Sequence, residues 1–480
     1  MNDPEETISS QDGELPIPQV SDRLLSIKYR ATALLSHYAQ QRQQRDVDEG
    51  ISLLREALDL CPQPHPEHAS CLENLADTLW IRFEHVGEQS DLDEVIQLIS
   101  QILGLLPLSH PEYSSILNKL GLALKARFRK YGQLPDLDNA VTTLRKALQR
   151  RLPSHPDYSL SLNSLANVLL VQFEHNHQDS ALDEAIDLYR QALDLRPPSH
   201  RPRFDRFLSL NNLANTMWTR FSHSGGRRNL DQSTQLFRQA LDLLPPTHPD
   251  YHLSLNKLAT ALNAKFRESG KRRHIDEAIL LLRKALNPSH LGYIHCLENL
   301  LDALWDRNQD GEQRDLEEII RSSRGVIKAL PPTDPNCISF SRRLGFALMA
   351  RSRIRAQPDD LNKAILSFRR AVDLLPPLYP NRSTVLGDLG TALRSRFNKG
   401  ESLDDINEAI LFHKEAFDSC PPSHPNYRSF LAQVVTSMKV RLRKGPQEND
   451  LRELLPLLRK AVDLCPQSDP NRSVLLEDLA

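Results

Sequence analysis

The sequence predicts an all-α solenoid of about ten helix-turn-helix repeats. Two observations carry this: a 45-residue period, and within each period two stretches of helical hydrophobic spacing joined by polar turns. The aspartate of a Leu-Asp-Glu-Ala-Ile-like phrase stands at Asp48, Asp93, Asp138 and Asp183, always 45 residues apart. The register continues at Asp231, Asp276, Glu317, Asn362, Asn407 and Arg452, with three changes of step. Three residues are added near His200-Arg201-Pro202-Arg203, three are missing in Leu286-Asn287-Pro288-Ser289, and one is missing between Arg307 and Glu317. All three fall between helical patterns, where changes of loop length are tolerated. A unit of this size cannot bury its own apolar face, so it stacks on its neighbours, and one elongated domain is expected over residues 21–480.

Residues 1–20 are polar and acidic, contain Pro16 and Pro18 and lack helical periodicity, so they are expected to be disordered. Each repeat then opens with a long first helix, for example Ser159 to Phe173, whose Leu160, Leu162, Leu165, Ala166, Leu169 and Leu170 recur at helical spacing. A polar loop leads to a shorter second helix such as Leu182 to Leu195, with Leu182, Ala185, Ile186, Tyr189, Ala192 and Leu193 on one face. Asp91-x-x-Glu94, Asp315-x-x-Glu318, Asp405-x-x-Glu408 and Asp450-x-x-Glu453 have the capping-box form, which places the aspartate at the N-cap of the second helix. Prolines at one register, Pro62, Pro107, Pro197, Pro245, Pro331, Pro376, Pro421 and Pro466, stop that helix, because proline removes a donor and disfavours a helical residue before it.

The second-helix residues Ala185, Tyr189, Ala192 and Pro197 resemble the small-aromatic-small-proline series of the tetratricopeptide repeat. On the first helix Leu165-Ala166 resemble its paired leucine and small residue. The small position recurs at Ala31, Ala76, Gly121, Ala166, Ala214, Ala259, Gly345 and Gly390. The resemblance implies a right-handed superhelix whose first helices line a concave groove. The longer unit, with Leu-Asn-Asn-Leu-Ala at 210–214 and a Ser-His-Pro turn, is similar to the repeats of kinesin light chains. It also looks like fungal tetratricopeptide arrays that accompany CHAT protease-like or nucleotide-switch domains. Repeats two and seven depart from the pattern, with Val95 and Ile102 or Ile319 and Val326 in place of small residues, so looser or shifted packing is expected there.

Sixty basic residues against 62 acidic ones leave a net charge of -2, which gives no general attraction to nucleic acid or anionic membranes. No stretch approaches 18 uncharged apolar residues, and the start lacks a basic region followed by an apolar one, so a cytoplasmic protein is expected. The six cysteines form no Cys-x-x-Cys pair and fall at repeat registers, which reads as small buried apolar positions. No phosphate loop, His-Glu-x-x-His or Gly-x-Ser-x-Gly occurs, so neither enzyme activity nor a metal or cofactor is expected.

Four columns stand out. His65, His110, His155, His200, His248, His290 and His424 mark the turn before a first helix, too far apart to share a metal and suited to turn packing or helix-end hydrogen bonds. Arg82, Arg127, Arg220, Lys265, Arg307, Arg351, Arg396 and Arg441 lie near the end of the first helix. There they suit the helix dipole and can pair with the aspartates of the next helix, or else form a ladder for acidic partners. All three tryptophans, Trp80, Trp218 and Trp305, share the register two residues earlier; they either anchor a partner or cover the added helical turns. Asn163, Asn167, Asn211, Asn215 and Asn256 fall on the groove side that the resemblance implies, where they could hold a peptide backbone.

Together these columns predict a non-enzymatic scaffold that binds an extended segment of a protein partner. The alternative is the regulatory array of a larger CHAT protease-like or nucleotide-switch protein. It is motivated by Asn471 to Ala480, which read as the first half of an eleventh first helix.

Overall fold

The computed structural model describes residues 17–480 apart from 198–202, 289–291, 309–312, 356–357, 377–378 and the single positions 380, 401, 448, 468, 470 and 480. Among the described residues the chain is entirely helical, with no strand, and the helices alternate in pairs at the predicted period. Residues up to Ser254 form one compact unit and residues from Leu255 another. His200, His290 and part of each of the three changes of step lie outside the described residues.

In the first unit the pairs are α1 (Ile17–Gln41) with α2 (Gln44–Leu60), α3 (His68–Val86) with α4 (Gln89–Leu105), and α5 (Tyr113–Tyr131) with α6 (Leu134–Arg150). They continue as α7 (Tyr158–Asn176) with α8 (Asp179–Asp194) and α9 (Arg203–Ser224) with α10 (Arg227–Leu241). The division between units falls inside α11 (Tyr251–Ser269), which α12 (Arg272–Ala285) follows. The second unit goes on with α13 (Tyr293–Arg307) and α14 (Gln313–Ala329), α15 (Asn336–Arg355) and α16 (Pro358–Asp373), and α17 (Arg382–Gly400) and α18 (Leu403–Asp418). It closes on α19 (Tyr427–Lys444), α20 (Asp450–Leu464) and α21 (Asn471–Leu479). Within each unit helices pack on their chain neighbours, and some first helices of adjacent repeats also touch, α5 with α7, α7 with α9 and α17 with α19. This nearest-neighbour packing is the solenoid mode of burial. Of the segment expected to be disordered, residues 1–16 lie outside the described residues and α1 begins at Ile17, where proline at the second helical position, Pro18, has no intrahelical acceptor to lose.

The small-residue column sets the helix pairing by size complementarity. A Cβ at Gly121 would lie 2.5 Å from Leu144, at Gly345 2.5 Å from Phe368 and at Gly390 2.5 Å from His413, each 23 residues on in the second helix. Ala166 and Tyr189, both fully buried, hold the same two registers. In repeat seven the sizes are exchanged: the first helix carries Leu301 and the second Ser323, both buried. Val95, Ile102, Ile319 and Val326, the large residues of the departing repeats, are buried like their counterparts.

The capping-box expectation is corrected. α4, α14 and α18 start two residues before the aspartate, so Asp91, Asp315 and Asp405 stand in the third helical position; Asp450 is the first residue of α20, where its Oδ2 accepts the Gln447 N–H at 2.8 Å, and the N-cap side chains that precede α4, α18 and α20, Glu88, Ser402 and Asn449, make no capping hydrogen bond. An acid in the first turn still suits the helix dipole. The carboxylates are instead committed to arginines, as shown below. At the other end of the first helix, Gly87, Gly132, Gly225 and Gly270 adopt positive φ and return their N–H to the carbonyls of Phe83, Phe128, Phe221 and Phe266. Only glycine takes this left-handed cap freely, and His177 fills it in repeat four at φ 54°.

Candidate partner-binding face of the first helices

The arginine column is an internal staple. Arg82 donates Nε and Nη2 to the two oxygens of Asp91 at 2.8 and 2.6 Å, while Nη1 reaches Asp48 of the preceding repeat at 3.1 Å. Arg127 repeats this with Asp136 at 2.6 and 2.7 Å and Asp93 at 2.9 Å. In the second unit Arg307 grips Asp315 and Asp276, Arg351 grips Asp360 and Glu317, Arg396 grips Asp405 and Asn362, and Arg441 grips Asp450 and Asn407. Each guanidinium thereby ties the first helix to its own second helix and to the previous repeat. The paired carboxylates hold Arg82, Arg127, Arg307, Arg351 and Arg396 above the ordinary guanidinium value.

In repeat four both partners of the staple have changed. Gln172 stands where the arginine would be, and the aspartate register holds buried Ala181. In the next two repeats Asn229 and His274 replace the aspartate; Arg220 turns to Asp183, and Lys265 stands opposite His274, whose pKa is lowered by burial and by that lysine. A buried aspartate without its arginine would be costly, which accounts for the paired change at Gln172 and Ala181.

The turn histidines are also internal. The Nδ1 atoms of His65, His110, His155, His248 and His424 accept the backbone N–H two residues on, at 3.1 to 3.2 Å. Asp334 does the same at 2.8 Å in repeat eight. The asparagines divide. Asn163 is buried and donates to Ser209 at 3.2 Å, and buried Asn256 accepts from Asn299 at 2.9 Å, so both lock adjacent first helices together. Asn167 is half-buried and accepts from the Tyr189 hydroxyl at 2.8 Å; Asn211 and Asn215 are half-buried on α9.

The tryptophan register carries more than tryptophan. Trp80 on α3 and Trp218 on α9 are half-buried against Phe83 and Phe221, with ring centroids 5.9 and 5.6 Å apart. Between them the register holds Lys125 on α5 and Leu170 on α7, so the indoles of the first unit are not adjacent. Lys125 meets no acceptor among the described residues, and burial, with Arg129 nearby, pushes its pKa down. In the second unit the register runs Asn263, Trp305, Met349, Arg394 and Lys439. Trp305 is 42% exposed and borders a recess of about 140 Å³ lined by Leu301, Ile319 and Phe346 and walled by Asp302 and Arg343. Arg394 meets no carboxylate among the described residues; it donates to Ser437 at 3.2 Å, and burial lowers its pKa. Stepping 45 residues from Trp80 or Met349 reaches Lys125 and Arg394, but a search for tryptophan passes over them.

Two groups with shifted titration, half-buried Asp388 and buried His413, flank this part of the second unit. Arg342 binds Asp388 at 2.7 Å, yet burial outweighs the pair and holds that carboxyl at about 6, against an ordinary 3.8. Burial and Arg394 hold fully buried His413 at about 4, against 6.5. Between pH 4 and 6 the fold retains a proton at Asp388 that the unfolded chain releases, so this group makes stability fall as pH rises. Over the same range the unfolded chain binds a proton that folded His413 refuses, so His413 makes stability rise with pH. Asp388→Asn is expected to unmask the His413 slope, with the urea midpoint of the second unit rising from pH 4 to 6.5. A profile parallel to the wild type would contradict this opposition.

No protein-family model matches the chain, and neither does any curated protein. Among solved structures, TPR-like repeats from a Podosopora anserina kinesin light chain are 21% identical, with 46% of this chain and 95% of that one covered and a TM-score of 0.34. MamA is 18% identical over 42% of this chain and 92% of its own, with a TM-score of 0.28. Yeast Tom70 is 14% identical over 96% of this chain and 95% of its own, with a TM-score of 0.32. The tetratricopeptide-like reading of the fold rests on the helix pairs and the small-residue register described above. No described helix is long and apolar enough to cross a membrane.

Proposed function

We propose that the chain is a non-enzymatic interaction array that binds an extended segment of a protein partner along the exposed face of its first helices. The carrying observation is Trp305, a large indole left 42% exposed beside an apolar recess with a charged rim. Exposed aromatic anchors at recesses are the usual energetic centres of protein interfaces. Lys125 and Arg394, cations at the same register without carboxylate partners among the described residues, suit acidic or carbonyl-bearing stretches of such a segment. Trp80, Trp218, Asn167, Asn211 and Asn215 stand on the first helices of the first unit, whose own face is included in the proposal. The arginines and Asn163 and Asn256 contribute by holding the helices that present it. The near-neutral net charge of -2 favours a protein over a nucleic-acid partner.

The test is selection of peptides from a random library on the full chain, then titration of the selected peptides against Trp305→Ala/Phe346→Ala by fluorescence polarisation. Binding is expected to weaken at least tenfold, roughly the loss of one aromatic anchor, while the circular dichroism stays helical. Unchanged affinity would remove the first-helix face as the binding site.

A further inference from the structure

The second helices of the second unit carry a feature that the first-helix reading does not use. Leu280 on α12, Leu366 on α16 and Leu411 on α18 are 67%, 65% and 62% exposed and share one register. The first unit holds Ser52, Gln97, Thr142, Asp187 and Gln235 at that register, all exposed and all polar. The same chain therefore shows what solvent alone selects there, and leucine on three second helices departs from it.

The face is also charged in one place. One turn beyond the leucines runs a ladder between successive second helices: Arg283 to Glu318 at 2.5 Å, Arg369 to Glu408 at 2.6 Å and Lys414 to Glu453 at 2.6 Å. The ladder fails between α14 and α16, where its positions hold Arg324 and Lys363. Lys363 turns to Asp359 of its own helix. At the leucine register α14 carries Arg321, and neither Arg321 nor Arg324 meets a carboxylate among the described residues, since Glu317 and Glu318 are taken by Arg351 and Arg283.

We propose that this second-helix face, from α12 to α18, docks an acidic amphipathic helix of a partner protein, with aliphatic side chains over Leu280, Leu366 and Leu411 and carboxylates over Arg321 and Arg324. Charge complementarity selects this occupant. A second copy of the chain would set unpaired arginines against unpaired arginines. With neighbouring helices about 10 Å apart, the stripe spans roughly 30 Å, the length of about 20 helical residues.

The probe is a labelled 20-residue helical peptide with leucines on one stripe flanked by glutamates, compared with the same peptide carrying lysines instead. The full chain is expected to bind the glutamate peptide at least tenfold more tightly than the lysine peptide. Leu366→Glu/Leu411→Glu should abolish that preference, and Arg321→Glu/Arg324→Glu should reverse it, all with helicity retained because the replaced side chains are exposed. Trp305→Ala/Phe346→Ala should leave it unchanged, which separates failure of this proposal from failure of the first-helix face. The proposal is overturned by equal affinity for the two peptides or by indifference to the leucine and arginine substitutions. It is equally overturned by a dimer that Leu366→Glu dissolves, or by flotation with phosphatidylserine vesicles that Leu366→Glu prevents.

Discussion

Arg351→Ala is expected to reduce the hydrogen-exchange protection of α15 and α16 by about two orders of magnitude, the equivalent of roughly 3 kcal/mol for stranding a buried charge. The reason is the position of Asp360, which is 1% exposed and receives two guanidinium bonds at 2.8 and 2.7 Å. Removing the arginine leaves that carboxylate buried without a counter-charge, and leaves Glu317 of the preceding repeat only the looser contact with Arg355 at 3.9 Å. Arg351→Lys should recover only part of the loss, because an ammonium cannot present the planar fork that meets both carboxylate oxygens. Hydrogen exchange followed by peptide is the suitable measurement, since repeat arrays open locally and a single unfolding midpoint averages over repeats. Protection in α15 and α16 equal to the wild type would show that the staple contributes nothing.

Gly345→Leu is the second large effect, and its partner makes it more than an overpacking experiment. Any Cβ at this position meets the Phe368 ring at 2.5 Å, so the larger side chain forces the helix pair apart at a cost of about 1–3 kcal/mol or more. Phe368→Ser alone empties the same space and should cost about 3–5 kcal/mol, as deletion of a fully buried phenyl does. Combined, the two substitutions reproduce the exchange of sizes found in Leu301 and Ser323. The double variant should therefore be more stable than the sum of the single losses implies, by about 1–3 kcal/mol. Strict additivity in the urea denaturation of the four proteins would refute size complementarity as the rule of pairing.

The parts of this fold legible in the sequence were those that depend on spacing alone. The period, the alternation of long and short helices and the small-residue column at Gly121, Ala166, Gly345 and Gly390 follow from side-chain size and helical geometry, which repeat wherever the register does. The Asp-x-x-Glu phrases misled because an acid at the N-cap and an acid in the third helical position produce the same local pattern. What decides between them is a guanidinium eight or nine residues earlier, and repeat four, with Gln172 and Ala181, lacks both partners. Asn163 and Asn256 looked available for a ligand because asparagine is unfavourable in a helix; burial against Ser209 and Asn299 supplies a structural use for it. Lys125 and Arg394 escaped notice because a column defined by tryptophan hides its other occupants, and their lack of a carboxylate is a property of three-dimensional packing. The division between Ser254 and Leu255 has no signature in composition or periodicity.

The central claim is that register decides each side chain's task, so the staple should be transplantable into the one repeat that lacks both halves. The measurement is a double-mutant cycle of Gln172→Arg and Ala181→Asp in the full chain, read by hydrogen exchange of α7 and α8. Ala181→Asp alone should lower protection, since it buries a carboxylate where Ala181 is now 6% exposed. Adding Gln172→Arg should restore it, with a coupling of about 1–3 kcal/mol. A coupling indistinguishable from zero, with the double variant as weak as Ala181→Asp, would contradict the account.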